Sequence, residues 1–378
     1  MNSITSKIQN GYDYLLESIL VKRMGYRSIF DPKRKKVWEA SELSNTQKKE
    51  IDHFYKQNYG KRIPYFWHMY YTAYTGIFDE KYIPETIYIP EVEFCFNSKR
   101  HYWLTASDKN FLPFIFSGGG GYRIPHNYLS CTYGLYRDSS NRIIDKEQAI
   151  KNLATLSECF IKPSIDSSSG VGCRVLNMHD GIDTRTKDTA EEIIRDYKDN
   201  FTIQEKVVCH DSLRKLSPDS VNTFRVMSYI WNNEIHVAPA VLRIGRTGKD
   251  VDNAHAGGLF VGIESDGSLC DKAFTEMHDI FTEHPDTHVE FKDYQIPLFK
   301  KVGSAAYEAH ARIPQIGIIN WDFTVDHDGK VVLIEGNMRY GSCWLIQMAH
   351  GVGMFEDNTA DILRYLKNKR KEYPFSYK

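Results

Sequence analysis

The sequence has few cysteines, no long apolar run and no excess of charge of either sign. Its seven cysteines, an odd number with no CxxC pair, argue against both a zinc site and a disulfide framework. No stretch approaches the roughly 18 consecutive apolar residues of a transmembrane helix. Lys and Arg total 48 and Asp and Glu 49, a net charge of -1 that argues against a nucleic-acid-binding protein. These absences lead us to expect a soluble, cytoplasmic protein without a membrane span.

Two common sequence signals are also missing. No copy of the phosphate-binding motif GxxxxGK[ST] is present, and no strand-then-helix pattern surrounds the glycine-rich run Ser117–Gly121. A hinge or loop is therefore favoured for this run over a glycine cradle for phosphate. The N-terminal segment has Glu17 inside its most apolar part and no small-residue cleavage site, which predicts an amphipathic helix rather than a signal peptide.

What the sequence does contain indicates an α+β (mixed α/β) protein of two or three domains. Its 378 residues are 42% hydrophobic and 13% aromatic, enough for more than one core. The basic segment Asp31–Lys36 is predicted to be a solvated loop or, alternatively, a partner site, and the tyrosine-rich segment 61–105 is expected to complete an N-terminal domain.

The spacing of apolar residues predicts the secondary structure along the chain. Helices are expected near 7–24, 42–59, after Asp145, and near 188–198, 293–312, 342–350 and 357–369. Strands are expected at 159–162, 173–176 and 201–208, and a hairpin about Asn232–Asn233.

Two acidic residues are predicted to face each other on a hairpin within residues 317–341. Asp328–Gly329 between two alternating apolar runs is the favoured two-residue turn. With that turn at the tip, Asp322 lies directly opposite Glu335. A four-residue loop would keep the pair on one face, whereas a three-residue loop would put the two carboxylates on opposite faces. Asn337 shares the face of Glu335 if the strand stays extended.

The cluster of Asp322, Glu335 and Asn337 would be an oxygen-only ligand set. Like charges directly opposite each other destabilise a hairpin, so the acidic pair needs compensation. Two carboxylates and an amide oxygen suit Mg²⁺ rather than zinc, and such Mg²⁺ sites commonly complete their shell with water and substrate phosphates. The alternative is that the carboxylates form ion pairs with basic neighbours such as Arg225 or Arg339.

A second polar stretch has the composition of a phosphate site. In CFIKPSIDSSSGVGCRV (159–175), Lys162 ends a predicted strand, where its ammonium can reach phosphate oxygens. The serines and the glycine that follow can offer hydroxyls and backbone N–H groups to the same anion. An ordinary surface hairpin is the alternative, and the nearby magnesium set favours the phosphate interpretation.

The order of these pieces resembles that of the ATP-grasp superfamily. DKNFLPFIF (108–116) resembles the start of its first nucleotide-binding helix, and FIKPSIDSSSGVG (160–172) its second lysine with a flexible phosphate-covering loop. FTIQEKV (201–207) resembles its adenine-binding hinge strand, and WDFTVDHDGKVVLIEGNMRYG (321–341) its metal-binding hairpin. SVNTFRVMSYI and AVLRIGRTGKDVDNAHAGGLFVGI are most similar to the group called sugar-transfer-associated ATP-grasp proteins.

The resemblance implies a fold in which two α+β subdomains grip ATP. These would be a small (lid) subdomain over 106–205 and a large subdomain over 206–378 that carries the metal-binding hairpin. A divergent N-terminal α+β domain would occupy 1–105. That part lacks the glycine-rich βαβ start of the superfamily, so its role does not carry over.

The phosphate end of the implied site contains lysines, a hydroxyl-rich cover and metal ligands. Lys109 and Lys162 would contact the α- and β-phosphates. Ser167, Ser168, Ser169 and Gly170 would form the cover. Asp322, Glu335 and Asn337 would hold two Mg²⁺ ions that bridge the β- and γ-phosphates, since neutralising charge is what phosphoryl transfer chiefly needs.

The adenine end of the implied site lies along the hinge strand, at Glu205, Lys206 and Val207. Glu205 would accept the adenine amino group, and the Val207 backbone would meet a ring nitrogen. The segment after the hinge differs from that of the D-alanine ligases. The ribose contact is therefore left open between His210 and Asp211.

Three residues are candidates for the chemical step. Arg225 and Arg243 would grip the γ-phosphate and the acceptor carboxylate, unless they are ordinary solvated strand residues. His255, in DVDNAHAGG, would act as a base for the incoming amine, although a lone histidine is also commonly structural. The N–H groups of Gly341, Ser342 and Cys343 would be available to an oxyanion.

The function expected from these residues is ATP-dependent ligation of a carboxylate to an amine through an acylphosphate. The partners would be ATP, Mg²⁺ and small-molecule carboxylate and amine substrates, plausibly sugar-linked and used for cell-surface polysaccharide. A small-molecule kinase with a hydroxyl acceptor is the first alternative, and a non-catalytic ATP-binding protein is the second. The sequence leaves the oligomeric state open, a homodimer included.

Overall fold

The computed structural model describes residues 4–98, 100–118, 120–165, 170–254 and 257–372. Within these ranges the chain forms a helical N-terminal segment followed by two β-sheets with helices on their faces. This is an α+β fold, as the mixed periodicity predicts. Among the described helices, none combines the length and the apolar character that a membrane crossing requires.

The described residues before Tyr122 form helices and no strand. They comprise α1 (Ile4–Ile29), α2 (Pro32–Glu39), α3 (Asn45–Asn58), α4 (Phe66–Thr75), α5 (Glu85–Ile87), a π-helical turn (Tyr88–Glu93), α6 (Phe94–Phe96), α7 (Arg100–Ala106), a 3₁₀ turn (Lys109–Phe111) and α8 (Leu112–Phe116). The strands expected within 1–105 are therefore not found in its described part. Two prolines of this segment, Pro84 and Pro90, lie at a helix start and inside the π-helical turn.

The predicted basic loop at Asp31–Lys36 is wrong, because α2 begins there. Asp31 accepts a hydrogen bond from the backbone N–H of Lys33 at 2.9 Å, and Pro32 occupies the first helical position. An N-cap aspartate followed by proline is a helix start signal that the run of positive charge obscured. Arg34 is also buried rather than solvated, and it forms an ion pair with Glu276.

The smaller sheet has the strand order β4-β3-β2-β8-β5-β6-β7. After β1 (Tyr122–Arg123), which belongs to the larger sheet, its elements are β2 (Asn127–Thr132), β3 (Leu135–Asp138), β4 (Ile143–Ile144), α9 (Lys146–Ala154), β5 (Glu158–Pro163), β6 (Arg174–His179), β7 (Ile182–Asp183), α10 (Ala190–Tyr197) and β8 (Asn200–Glu205). Asp145 caps α9 as predicted, accepting the N–H of Gln148 at 2.7 Å. Leu153 and Ile193 of the two helices are buried in one core with Ile161 and Ile203 of the sheet.

The larger sheet has the strand order β1-β16-β15-β9-β11-β12-β13-β14, and β10 pairs with β9. Apart from β1, the elements of this part of the chain come after the short helix α11 (Asp211–Arg214). They are β9 (Thr223–Trp231), β10 (Glu234–Val237), β11 (Ala240–Ile244), β12 (Leu259–Ile263), β13 (Leu269–Phe274), β14 (Ile280–Phe281), α12 (Phe299–Arg312), β15 (Ile318–Val325), β16 (Val331–Asn337), α13 (Cys343–His350) and α14 (Thr359–Glu372). The turn predicted at Asn232–Asn233 is confirmed, since Trp231 pairs with Glu234 and both asparagines have positive φ.

The two faces of the larger sheet are covered by different helices. On one face, Val226 and Leu242 pack with the apolar side of α12. On the other, Met227 and Val241 share a core with α3, α4, α13 and α14. The N-terminal helices therefore form a layer on the larger sheet. The domain boundaries at 105 and 205 stay predictions.

Candidate active site

One cavity of about 810 Å³ lies where strands of the two sheets approach each other. Its lining includes most of the residues predicted to bind nucleotide or metal: Lys109, Lys162, Gly170, Glu205, Lys206, Val207, Arg225, Arg243, Asp322, Glu335 and Asn337. Ser167, Ser168, Ser169 and His255 lie outside the described residues, so their predicted roles stay predictions. Of the other predicted nucleotide and metal ligands, the two candidates for the ribose contact are the ones that do not line the cavity.

The hairpin of β15 and β16 pairs Asp322 with Glu335, but by a different geometry from the one expected. The turn is a three-residue loop, in which Asp326 N–H donates to Lys330 O at 2.9 Å. Continued without interruption, that register would set Asp322 opposite Ile334. A β-bulge makes Phe323 face Leu333 while Asp322 faces Glu335, so Ile334 is the extra residue. The predicted pair is confirmed and the predicted two-residue turn is wrong.

Asp322 is held by two arginines at the bottom of the cavity. Arg225 donates to both of its oxygens, from Nε at 2.6 Å and from Nη2 at 3.1 Å, and Arg243 Nη2 lies 3.4 Å from Oδ2. Burial by itself would raise the pKa of Asp322, but the two guanidinium groups outweigh it and lower the pKa below its ordinary value. The ion pair with Arg225 that the sequence left as an alternative is therefore present.

The donor set around Asp322 fits a hard divalent cation. Asn337 Nδ2 lies 3.4 Å from Asp322 Oδ2, and Glu335 lies directly across the hairpin with 29% of its side chain exposed to the cavity. Two carboxylates and an amide on adjacent strands are oxygen donors of the kind that Mg²⁺ prefers. These three residues fit a magnesium ion, which Asp322 would bind in addition to Arg225.

Two buried lysines bring positive charge to the same end of the cavity. Lys109 Nζ lies 3.5 Å from Glu335 Oε1, and Lys162 Nζ lies 3.5 Å from the carbonyl oxygen of the bulge residue Ile334. Burial lowers the pKa of Lys162 and the neighbouring Lys109 adds to the effect, while Glu335 opposes it. A phosphate group close to these ammonium groups would be attracted by both.

Arg243 is anchored to the segment that precedes His255. Its Nη2 donates to Asp252 Oδ1 at 3.0 Å, and Asp252 Oδ2 accepts from the N–H and the hydroxyl of Thr223 at 2.8 and 2.5 Å. Burial raises the pKa of Asp252, although Arg243 beside it acts in the opposite direction. Thr223 was missed in the sequence, because a threonine within a strand carries no signal of such a role.

The hinge-strand residues Glu205, Lys206 and Val207 all line the cavity, but the two charged side chains are paired with other residues. The Glu205 carboxylate forms an ion pair with Arg123, which also donates to Asp326 at 2.8 Å. Lys206 Nζ is bonded to Glu158 at 2.7 Å. Arg123 lies on the short strand β1 and was not identified from the sequence, since its two acidic partners are far away along the chain.

Neither candidate for the ribose contact lines the cavity. The Asp211 side chain is 80% exposed and lies 3.5 Å from Arg214, which does line it. His210 caps α11, where its Nδ1 lies 2.9 Å from the Ser212 hydroxyl. The structure therefore does not bring Asp211 to the predicted site.

The proposed oxyanion donors after the hairpin are already used. The buried Glu93 carboxylate accepts the N–H groups of Tyr340 and Gly341, each at 2.8 Å, and Cys343 N–H donates to Gly341 O at 2.9 Å. The prediction that Gly341 and Cys343 offer free N–H groups is therefore wrong. Glu93 lies in the π-helical turn, far from Gly341 along the chain. No local sequence pattern could therefore predict the contact between them.

Comparison with known proteins identifies the family. The sequence matches the family described as sugar-transfer associated ATP-grasp over residues 93–361, most of the chain. The comparison with curated proteins finds no match.

Several solved structures resemble the fold at low identity. The D-Ala:D-Ser ligase VanG of Enterococcus faecalis has 14% identity and a TM-score of 0.41, over 69% of this chain and 62% of that one. An L-amino acid ligase of Bacillus licheniformis has 14% identity and a TM-score of 0.38, over 69% and 48%. The matched region therefore spans less than two thirds of either relative. The family match extends from Glu93 through the cavity-lining hairpin, and the chain belongs to the sugar-transfer-associated ATP-grasp family.

Proposed function

We propose that this protein is an ATP-dependent carboxylate–amine ligase. The observation that carries the proposal is that Lys109 and Lys162 line the same cavity as the paired carboxylates Asp322 and Glu335. Cations beside an oxygen-donor set are what transfer of a phosphoryl group requires. The family match supports the ATP-grasp class of chemistry.

The proposed reaction has two steps, which require no reagent besides ATP and the two substrates. A carboxylate oxygen of the first substrate attacks the γ-phosphorus of ATP, ADP leaves, and an acylphosphate forms. The nitrogen of the amine substrate then attacks the acyl carbon, inorganic phosphate leaves with the C–O bond electrons, and the amine loses a proton. Splitting one difficult condensation into two easier steps is the benefit of the mixed anhydride.

The residues of the cavity have distinct parts in this scheme. Lys109 and Lys162 bind and orient the phosphate chain of ATP. Asp322, Glu335 and Asn337 would hold Mg²⁺, which, when bound, offsets the negative charge of the β- and γ-phosphates. We propose two such ions. Arg225 and Arg243 bind Asp322 and line the same cavity, where a guanidinium suits both phosphate and carboxylate.

We further propose a carboxylated sugar or an amino acid as the acceptor. The family is associated with sugar transfer, so an amide on a cell-surface polysaccharide precursor is consistent with it. The part of the cavity beyond the metal set offers Arg339, Ser342 and Trp344 to such a substrate. An arginine, a hydroxyl and an aromatic ring suit a polar molecule that carries a negative charge.

The experiment is ³¹P NMR of the protein with MgATP and pooled carboxylates, namely uronic acids, sugar nucleotides and amino acids, with and without pooled amines. ADP and phosphate that accumulate only with both pools present would establish the ligase. A new stable phosphomonoester that forms without amine would mean a kinase and contradict the proposal. Glu335→Gln should abolish turnover, and Glu191→Gln, which removes an exposed carboxylate on α10, should retain it.

A further inference from the structure

Glu264, Cys270 and His350 form a cluster of potential metal ligands that does not line the cavity of the active site. Glu264 directly follows β12, Cys270 lies in β13, and His350 is the last residue of α13. One ligand atom of each lies within 4.8 Å of the other two. In the described part of the chain this is the one group of three or more histidine, cysteine and acidic side chains arranged in this way.

The spacing of the ligand atoms agrees with a tetrahedral metal ion. Ligands at about 2.0–2.3 Å from a tetrahedral zinc ion lie about 3.3–3.8 Å from one another. Cys270 Sγ lies 3.5 Å from Glu264 Oε1, and His350 Nδ1 lies 3.8 Å from the same oxygen. Both distances fall in that range, and the third, between the ligand atoms of Cys270 and His350, is at most 4.8 Å.

His350 is already oriented as a ligand. Its Nε2 lies 2.7 Å from the carbonyl oxygen of Ala240 and donates its proton there, which leaves Nδ1 as an acceptor facing the cluster. A backbone carbonyl that holds the second ring nitrogen is the usual support of a metal-binding histidine. The imidazole is also 8% exposed, so the surrounding protein restricts its rotation.

The backbone leaves room for the ligands to converge. A Cβ atom at Gly262 would lie 2.7 Å from Cys270 Sγ and 2.9 Å from His350 Cε1. Contacts that short do not occur, so a side chain at position 262 would displace the thiol or the imidazole. The Glu264 side chain is 58% exposed, which leaves a solvent path for an ion and for a water ligand.

We propose that Glu264, Cys270 and His350 bind one zinc ion, with water as the fourth ligand. A thiolate, an imidazole and a carboxylate are a zinc set and a poor magnesium set, which separates this site from the one at Asp322 and Glu335. The ion joins the β12–β13 hairpin to the end of α13. Trp344 and Leu345, in the first turn of α13, line the cavity, so the bound ion stabilises one wall of it.

The test is zinc binding by the tag-free full-length protein. After removal of metal with a chelator, titration with ZnCl₂ should restore one tightly bound equivalent by elemental analysis. Titration with CoCl₂ should give visible bands of tetrahedral cobalt and a thiolate-to-cobalt charge-transfer band. Cys270→Ser should lose that charge-transfer band and weaken zinc binding by more than about 100-fold, because losing a ligand costs more than losing an outer-shell partner.

Three control variants make the outcome decisive. Cys95→Ser, at another half-buried cysteine, and Glu335→Gln, in the magnesium set, should both keep the zinc equivalent. If Cys270→Ser does not fold, His350→Gln must show the same loss of zinc. Zinc binding that survives in both cluster variants, zinc binding lost in Glu335→Gln, or no tight equivalent in the unmodified protein would each overturn the proposal. These readouts do not depend on ligase activity.

Discussion

At the scale of single residues, charge is balanced within the cavity by contacts among its own side chains. Asp322 lies between Arg225 and Arg243, and Arg243 in turn binds Asp252. These four side chains are buried, where an unpaired charge would be costly. Each buried charge in the network is therefore compensated by an opposite charge beside it.

Replacing Asp322 with Asn should destabilise the protein strongly. It leaves two buried guanidinium groups facing a neutral amide, and breaking a buried ion pair in this way costs about 3–5 kcal/mol. The free energy of unfolding in urea measures it. The double variant Arg225→Met/Asp322→Asn should lose less than the sum of the two single losses; strict additivity would contradict the pairing.

The protonation state of Lys162 should make the binding of nucleotide dependent on pH. Burial lowers its pKa in the free protein, whereas a bound phosphate favours the charged ammonium and raises the pKa. The affinity for MgATP should therefore be highest below the pKa of the free protein, and should fall as the pH rises through that value. Calorimetry in two buffers of different ionisation enthalpy should show proton uptake on the alkaline side.

Two variants check this assignment. Lys162→Met should weaken MgATP binding and abolish the proton uptake, because no titrating ammonium remains at that position. Lys151→Met, at an exposed lysine of α9, should change neither. Proton uptake that persists in Lys162→Met would assign the effect to another group.

At the scale of elements, the segment that follows β16 is held in place by a side chain from a different element. Glu93, in the π-helical turn, accepts both the Tyr340 and the Gly341 N–H groups, and Tyr340 has a positive φ of 54°. A non-glycine residue with positive φ needs such support. Because Tyr340 and Ser342 line the cavity, Glu93 is a positioning residue for its acceptor end.

Replacing Glu93 with Gln should loosen that segment. The amide keeps one acceptor oxygen but turns its NH₂ toward the second N–H, and an unsatisfied buried donor costs about 1–3 kcal/mol. We expect a lower melting temperature and a raised KM for the acceptor, with MgATP affinity unchanged. Equal losses for acceptor and nucleotide would indicate a general loss of folding instead.

At the scale of the whole molecule, the N-terminal helices complete the large sheet. Tyr70, Tyr71 and Tyr74 of α4 are buried in one core with Phe260 and Phe274 of β12 and β13. Tyr70 and Tyr74 also donate hydrogen bonds to the backbone oxygen of Glu276, at 2.9 and 2.8 Å. Removing these helices would expose the face of the sheet that they cover.

A variant lacking residues 1–98 should therefore fail to form a soluble monomer. It would expose a large apolar surface of the kind that causes association. Size-exclusion chromatography and binding of a fluorescent ATP analogue would measure the outcome. A soluble truncated variant that unfolds cooperatively and binds the analogue would show instead that the N-terminal segment is a separate domain.

The sequence by itself determined several of the local elements and several of the charged residues that line the cavity. Capping at Asp145, the Asn232–Asn233 turn and the period of the strands depend on neighbours a few residues apart. The strand period also placed Glu335 and Asn337 on one face. Residue types in family order then identified Lys109 and Lys162.

Only the tertiary structure decided the contacts between segments far apart in the chain. The bulge that pairs Asp322 with Glu335, the arginines on Asp322 and the Glu93 carboxylate on Gly341 join residues from different elements. Cys270 carries no zinc motif in the sequence, because its neighbours in the cluster, Glu264 and His350, meet it only when β12, β13 and α13 pack together. Local sequence patterns reflect interactions between residues that are close together in the chain. A site assembled from several elements exists only once the chain has folded.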